Sequence, residues 1–476
     1  MHLRFRRYKY EPGRHLFGFK IMFIVSGANN TKYGVDRGTY TGKSLVLDGS
    51  ADYLSRTAGT ADNRKILTIN IFLKRSKLGT SQSVIGGGVS NKIQLDFNAS
   101  DNIRFRISDA SNSTEYTKTS MGVYRDTHKW YWFTWQIDTT KSTASERNRL
   151  FEHKSNGTVE VAATGSDIPI NANLDAWGDG SSSLGIGASS TGTVTFDGYI
   201  SRIIIDDGNS STYSDYERTS ADTGRPVPKE FTGNYGSEGC LLDFNDDRSS
   251  TPDTTTTIYD QSGNSNNWTG NSLTTDNFSN DTPVDNHCTW NALINEGAGF
   301  IGLTQGNRKT EHDSDSGSLG TIPISNGKFY LEMKYTQASA GAAGMLFGVA
   351  GVALDQSFLS SGSNTNAQIR TYSTCGTKQA VSSSAYGNAW LDGDIIGMAL
   401  DMDNGVVWFS KSGTWQNSAT ISEIEAGTTT NAAFTDLLDL NTVLLMCHRD
   451  ANASVPNDFC ELVISHNDVV YSIPSG

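Results

Sequence analysis

The sequence predicts an all-β fold built from antiparallel β-sandwiches, on three observations. The 476 residues include 48 glycines among abundant Ser, Thr, Asn and Asp, the composition of many short strands joined by tight turns. Apolar residues come in short runs bounded by those turn residues, and no long apolar pattern of period 3.6 occurs, so very little helix is expected. Only 36% of residues are hydrophobic, low for one thick core and fitting for thin sandwiches with much surface. The length suits two or three domains, each with its own core.

The formal charge is −13 and unevenly spread. Residues 1–20 hold Arg4, Arg6, Arg7, Lys9, Arg14 and Lys20 against Glu11 alone, a net +5, so the rest carries −18. An acidic body repels phosphates, which argues against nucleic acid as a partner. No apolar run reaches the 18 residues of a membrane helix, so no membrane insertion is expected. Leu16–Val25 followed by Ser26-Gly27-Ala28 has the layout of a secretory signal, but Lys20 divides it and leaves only Ile21–Val25 uninterrupted. Residues 1–25 are therefore read as a basic arm that anchors to a larger acidic assembly, with Met22 as an alternative start. Cys240, Cys288, Cys375, Cys447 and Cys460 show no metal-ligand spacing and are odd in number, so reduced thiols are expected. A bridge between Cys447 and Cys460 stays open.

The first unit is expected over 26–229. Ser44–Ser55 reads as strand, Asp-Gly-Ser turn and strand. Ile66–Lys74, Ile93–Phe97 and Ile103–Ile107 read as further strands. Trp130–Asp138 is the most apolar, with Trp130 and Trp132 on one face and Tyr131, Phe133 and Trp135 on the other, the pattern of a central strand covered on both sides. Phe196–Asp206 closes the unit, and one helical turn is expected around Tyr213–Arg218. In order and spacing, "SLVLDGSADYLS", "KWYWFTWQID" and "FDGYISRIIIDD" resemble the laminin-G-like, concanavalin A-like jelly roll, whose members include lectins, glycan-binding modules and some glycosidases.

Residues 230–284 read as a polar joining segment. Pro226 and Pro228 break regular structure just before it, and Cys240–Phe244 fits one strand. Asp246–Asn280 is a run of Thr, Ser, Asn and Asp, with Ile258 and Trp268 as its anchors on a domain surface. The last unit is expected over 285–476. Gly327–Tyr335 and Met345–Ala350 read as strands, followed by a hairpin in which Ile395–Met402 and Val406–Phe409 flank Asp403-Asn404-Gly405. Asn-Gly there suits a type I′ turn, which needs positive φ at both central residues. A second turn at Lys411-Ser412-Gly413, strands at Thr442–Cys447 and Cys460–Ile464, and a terminal edge at Tyr471–Pro474 complete the unit.

"GKFYLE", "LFGV" and "GDIIG" with the hairpin after it resemble the SPRY family, β-sandwiches that bind partners through loops and do no chemistry. "TGRPVPKEFTGNYGSEGCLLDFND" and "DQSGNSNNWTGNSL" resemble the joining segment of proteins common in marine bacteriophage genomes. The full order is similar to that of virion tail-fibre or appendage proteins, which pair a laminin-G-like domain with a C-terminal SPRY domain. The resemblance implies two jelly-roll sandwiches in tandem.

Glycoside hydrolysis on such a fold needs two carboxylates about 5 Å apart for a retaining enzyme. On one strand these sit at i and i+2 or i+4. Glu423 and Glu425 come nearest, in a stretch read as loop, without a third acid or an aromatic cluster. No catalytic residue is assigned, and the chain is expected not to be an enzyme. Asp401–Gly405 lacks the glutamate that a calcium loop needs at position 412, which is Ser. Candidate calcium ligands are Asp206, Asp207, Asp243, Asp246 and Asp247, against the plainer reading that these carboxylates cap turns. No other cofactor is expected. A glycan site needs an exposed ring beside amides or carboxylates, and Trp177 and Trp268 are the candidates. Trp130, Trp132, Trp135 and Trp408 are expected in cores.

The resemblance implies a non-enzymatic virion component, assembled in the host cytoplasm and carried outside on the particle. Its arm docks to other virion proteins, its loops meet a host-surface glycan or protein, and analogy with fibres makes it a homotrimer. Two alternatives are carried, a polysaccharide depolymerase on the first unit and a secreted bacterial adhesin cleaved near Ala28.

Overall fold

In the computed structural model of the chain, residues 23–24, 42–88, 92–245, 255–297, 299–337, 344–363, 365–450, 458–463 and 469–475 are described. Of the arm expected over 1–25, only Phe23–Ile24 lies among them, paired in parallel with Phe329–Tyr330.

Two antiparallel β-sandwiches follow one another. One sheet of the first runs, in spatial order, Gly157–Glu160, Asn148–Lys154, Tyr131–Asp138, Ile66–Arg75, Asp197–Asp207, Ser44–Asp48 and Phe278–Ser279. The facing sheet runs Ala163–Gly165, Thr114–Ser120, Ile103–Asp109, Ile93–Phe97, Gln82–Gly87, Ser183–Ile186, Tyr53–Thr57, Trp268–Asn271 and Thr255–Ile258. Alternation along each strand sends Leu67, Ile69, Ile71 and Leu73 inward against Leu95, Phe97, Ile103 and Phe105. Tyr131, Phe133 and Trp135 point into that core, while Trp132 turns outward into a second cluster with Phe72, Ile204, Tyr216 and Phe231. This central strand is buried on both faces because 213–235 folds over the outside of its sheet, held by the short ribbon Glu217–Thr219 against Pro226–Pro228.

The segment read as a joint is built into this sandwich. Cys240–Leu242 pairs with Ile203–Ile205, Trp268–Asn271 extends the facing sheet beside Tyr53–Ser55, and Phe278–Ser279 pairs with Ser44–Leu45. Its Thr-rich run pairs at the sheet edge, where one face needs no apolar cover, and Ile258 and Trp268 reach the core.

The second sandwich stacks Phe300–Thr304, Lys309–His312, Asp458–Val463, Lys328–Gln337, Ile395–Asp401, Val406–Lys411 and Thr414–Trp415 over a second sheet. That sheet runs Trp290–Glu296, Ser316–Gly320, Val443–Asp450, Gly344–Gly351, Ile369–Ser373, Thr377–Gln379 and Ser383–Ala385. Tyr471–Pro474 forms no strand. Cys447 and Cys460 lie in facing sheets, and all five cysteines are free. The hairpin forms with different turn chemistry from that expected. Asp401 pairs with Val406, leaving a four-residue loop in which only Gly405 has positive φ. The Asp401 carboxylate accepts from Asp403 N and Asn404 N at 3.1 and 3.0 Å, fixing the loop from its base. The turn with two positive φ values is the next one, Ser412 at 43° and Gly413 at 80°. Glu423 and Glu425 stand on a helical turn, Ile421–Ala426, which corrects their reading as loop charges. Glu423 completes a capping box with Thr420, and Glu425 accepts from Ser475 N at 2.7 Å.

The sandwiches touch directly. Tyr199 Oη donates to Gly306 O at 2.7 Å and Asn307 Nδ2 to Ser76 O at 2.8 Å, both buried.

At the start of its strand Asp197 pairs with Asp48. Burial, with the Asp48 charge adding, pushes its carboxyl up to about 7. The folded state therefore holds a proton that the unfolded chain releases above pH 3.8, and stability falls as pH rises from there through 7. Asp197→Asn removes that dependence. It is expected to unfold like the parent at pH 4 and to be about 4 kcal/mol more stable at pH 8, read from denaturation curves at both pH values.

Candidate functional site

The strand Asp197–Asp207 delivers the chain to the end of the first sandwich, where 208–212 turns back. The excursion 213–228 then returns it along 229–233. Between these two passes lies a surface cavity of about 270 Å³ lined by Ser210, Ser211, Asp215, Lys229, Phe231, Thr232 and Gly233. Gln136 Nε2 donates to Ser211 O at 2.6 Å and Thr68 Oγ1 to the same oxygen at 3.3 Å, tying one wall to two strands. Asp215 is fixed by accepting from Thr212 N at 2.7 Å. Phe231 stacks on Tyr216, with ring centroids 5.0 Å apart, and Tyr216 Oη donates to Asp206 Oδ2 at 3.2 Å. The lining thus includes three hydroxyl residues, of which Ser210 bonds Asp138 at 3.4 Å and Ser211 bonds Asp206, together with a carboxylate, an ammonium group and an aromatic ring.

The excursion is held down by a sealed polar network. His153 stacks on Trp132 at 3.7 Å between centroids. Its Nε2 meets Thr134 Oγ1 at 2.7 Å and its Nδ1 meets Glu217 Oε2 at 2.5 Å. Burial pushes His153 below its usual range against the pull of Glu217. Burial would raise Glu217, but hydrogen bonds from His153 and Thr158 outweigh it and hold the carboxyl low. With 1% of its side chain exposed, this imidazole orients the cavity wall and is out of reach of a ligand. Cys447 Sγ lies 3.6 Å from His312 Nε2 in the second sandwich. Burial opposes ionisation of that thiol, while Cys460 and His312 together bring it below the usual range. Both residues are completely buried.

The structure corrects both aromatic candidates. Trp177 is 3% exposed, part of the first core, with Nε1 donating to Asp207 Oδ1 at 3.0 Å. Trp268 is 2% exposed and points between the sheets from its own strand. Polar neighbours in sequence hide the inward alternation of a strand and a turn that folds a ring under itself, so neither face is open for a sugar. The carboxylates are engaged within the chain. Asp206 accepts from Asn209 Nδ2 at 2.6 Å and from Tyr216, and burial raises its pKa against those bonds and one with Ser211. Asp207 accepts from Trp177 and, through Oδ2, from Asp62 N at 3.1 Å and Glu238 N at 3.2 Å. Asp243 caps its own turn, accepting from Asn245 N at 3.1 Å, and Asp246 and Asp247 lie outside the described residues. Among the described residues no group of three or more His, Cys, Asp or Glu is placed to hold a metal ion. Ser211, Lys229 and Phe231, which line the cavity, carry no motif. Only the fold brings together the first two, 18 positions apart in sequence.

No protein-family profile and no curated protein matches the chain. Among solved structures, the SPRY domain of human HERC1 is similar at 15% identity and a TM-score of 0.29, over 36% of this chain and 96% of that one. Stonustoxin is similar at 14% identity and a TM-score of 0.25, over 37% and 26%. A protein from Bacteroides ovatus assigned to carbohydrate binding is similar at 13% identity and a TM-score of 0.33, over 49% and 58%.

Proposed function

We propose that the chain is a non-enzymatic binding protein, a component of a bacteriophage tail fibre or appendage that attaches to a glycan of the host surface. The observation that carries the binding role is the cavity between 208–212 and 229–233. At about 270 Å³ it falls just below the usual range of ligand-pocket sizes, room for one sugar unit at most. Its hydroxyls, carboxylate and ammonium group supply both donors and acceptors for the hydroxyls of a saccharide. The virion setting is supported by the order of sequence segments, and the same reading assigns the N-terminal arm to docking on other virion proteins in a trimer.

Titration calorimetry with fragments of host-surface polysaccharide tests the binding role. Lys229→Ala is expected to weaken binding about tenfold, the effect of losing one charged hydrogen bond, without change in thermal stability. Equal affinity in parent and variant would place the ligand elsewhere. Mass spectrometry of purified particles tests the setting separately, since a virion component copurifies with them.

A further inference from the structure

Where the two sandwiches meet, Lys74 is the last residue but one of the central strand Ile66–Arg75, with its side chain 1% exposed. Its Nζ donates to Asp281 Oδ2 at 2.7 Å, to Asn286 Oδ1 at 2.9 Å and to His287 O at 3.3 Å. The ring of Tyr199 lies against it, 5.1 Å from nitrogen to centroid. Trp130 Nε1 holds the other oxygen of Asp281 at 3.0 Å. The Asn286 carboxamide is fixed at both ends, since its Nδ2 donates to His128 O at 2.9 Å. Its carbonyl carbon therefore stands one bond beyond an oxygen already touching the lysine nitrogen. A carboxylate contacts the same nitrogen, and water is excluded on the Lys74 side. Such fixed proximity replaces a bimolecular encounter and accounts for large accelerations in amide chemistry.

We propose that Lys74 and Asn286 join in an intramolecular isopeptide bond, with Asp281 as the proton carrier. Asp281 takes a proton from Nζ, and the freed lone pair attacks Asn286 Cγ, forming the Nζ–Cγ bond as the carbonyl π electrons move to Oδ1. Asp281 passes that proton to Nδ2, the carbonyl re-forms as the Cγ–Nδ2 bond breaks, and a second proton leaves Nζ by way of Asp281 for the departing ammonia, which exits as ammonium past Asn286, itself partly exposed. An alkylammonium and a primary amide become a secondary amide and an ammonium ion. Nothing is oxidised or reduced, and no co-reactant is needed. In the product the one remaining N–H still faces Asp281, while the bonds of Nδ2 to His128 O and of Nζ to His287 O are given up. The bond closes a loop between positions 212 apart. It staples the central strand Ile66–Arg75 to the segment that leads into the second sandwich, so a pull on that sandwich meets a covalent stop. This bond is independent of what the cavity binds.

The test is the mass of the purified full-length chain. The expected value is about 17 Da, one ammonia, below that of the sequence, with a proteolytic digest yielding peptides joined through Lys74 and Asn286. Asp281→Asn and Asn286→Ala are each expected to show their full sequence masses. An unshifted parent mass with free Lys74 and intact Asn286 overturns the proposal. So does a loss of about 18 Da with the join mapped to Asp281, which is water loss to a different partner. The parent measurement decides even where a variant fails to fold.

Discussion

Asp458→Ala is expected to lower the stability of the second sandwich by about 3–5 kcal/mol. Asp458 and Arg449 face each other at 3.1 Å with side chains 0% and 1% exposed. Arg449 Nη1 donates to His312 O at 2.9 Å, and Asp458 Oδ1 accepts from Tyr335 Oη at 2.9 Å. The pair gains little net stability over an apolar substitute, because both charges have left water. Removing one partner is a different matter, since it strands a guanidinium among packed side chains. The double variant Arg449→Met with Asp458→Leu is therefore expected to lie within about 2 kcal/mol of the parent. Denaturant titration reads both. A single variant losing under about 1 kcal/mol would show that solvent reaches the pair.

Trp177→Ala is expected to cost about 3–5 kcal/mol in the first sandwich and to leave glycan affinity unchanged. The ring fills the end of the core and satisfies Asp207, whose other oxygen holds the backbone of Asp62 and Glu238. Truncation leaves a void and loosens three segments at once. A variant of parental stability that had lost glycan binding would restore the exposed-ring reading of this tryptophan.

That contrast shows what the residues disclose before the chain is folded. Strands such as Ile93–Phe97, Tyr131–Asp138 and Asp197–Asp207 are readable because strand burial alternates or fills both faces, and their apolar residues say so directly. Asn404-Gly405 is readable as a turn, yet its type depends on where cross-strand pairing stops, which Asp401 settles through its carboxylate. The run around Thr255–Ile258 reads as linker because an edge strand needs no apolar face, and the strand it pairs with, Trp268–Asn271, joins the sheet through the distant Tyr53–Ser55. The cavity was invisible for a related reason. Ser211 and Lys229 face a common space only because His153 and Glu217 pin the intervening excursion onto the sheet. The isopeptide triad likewise gathers Lys74, Asp281 and Asn286 from the first sandwich and its connection to the second.

We propose that the cavity of the first sandwich takes a host-surface saccharide. The most direct test is a titration of the full-length chain with host polysaccharide fragments, followed by NMR signals of Ser211, Lys229, Phe231 and Gly233. The expected result is a saturable shift confined to those residues, lost in Lys229→Ala while the rest of the spectrum stays unchanged. Saturable binding that leaves them unmoved, or no binding to any surface polysaccharide of the host, would contradict it.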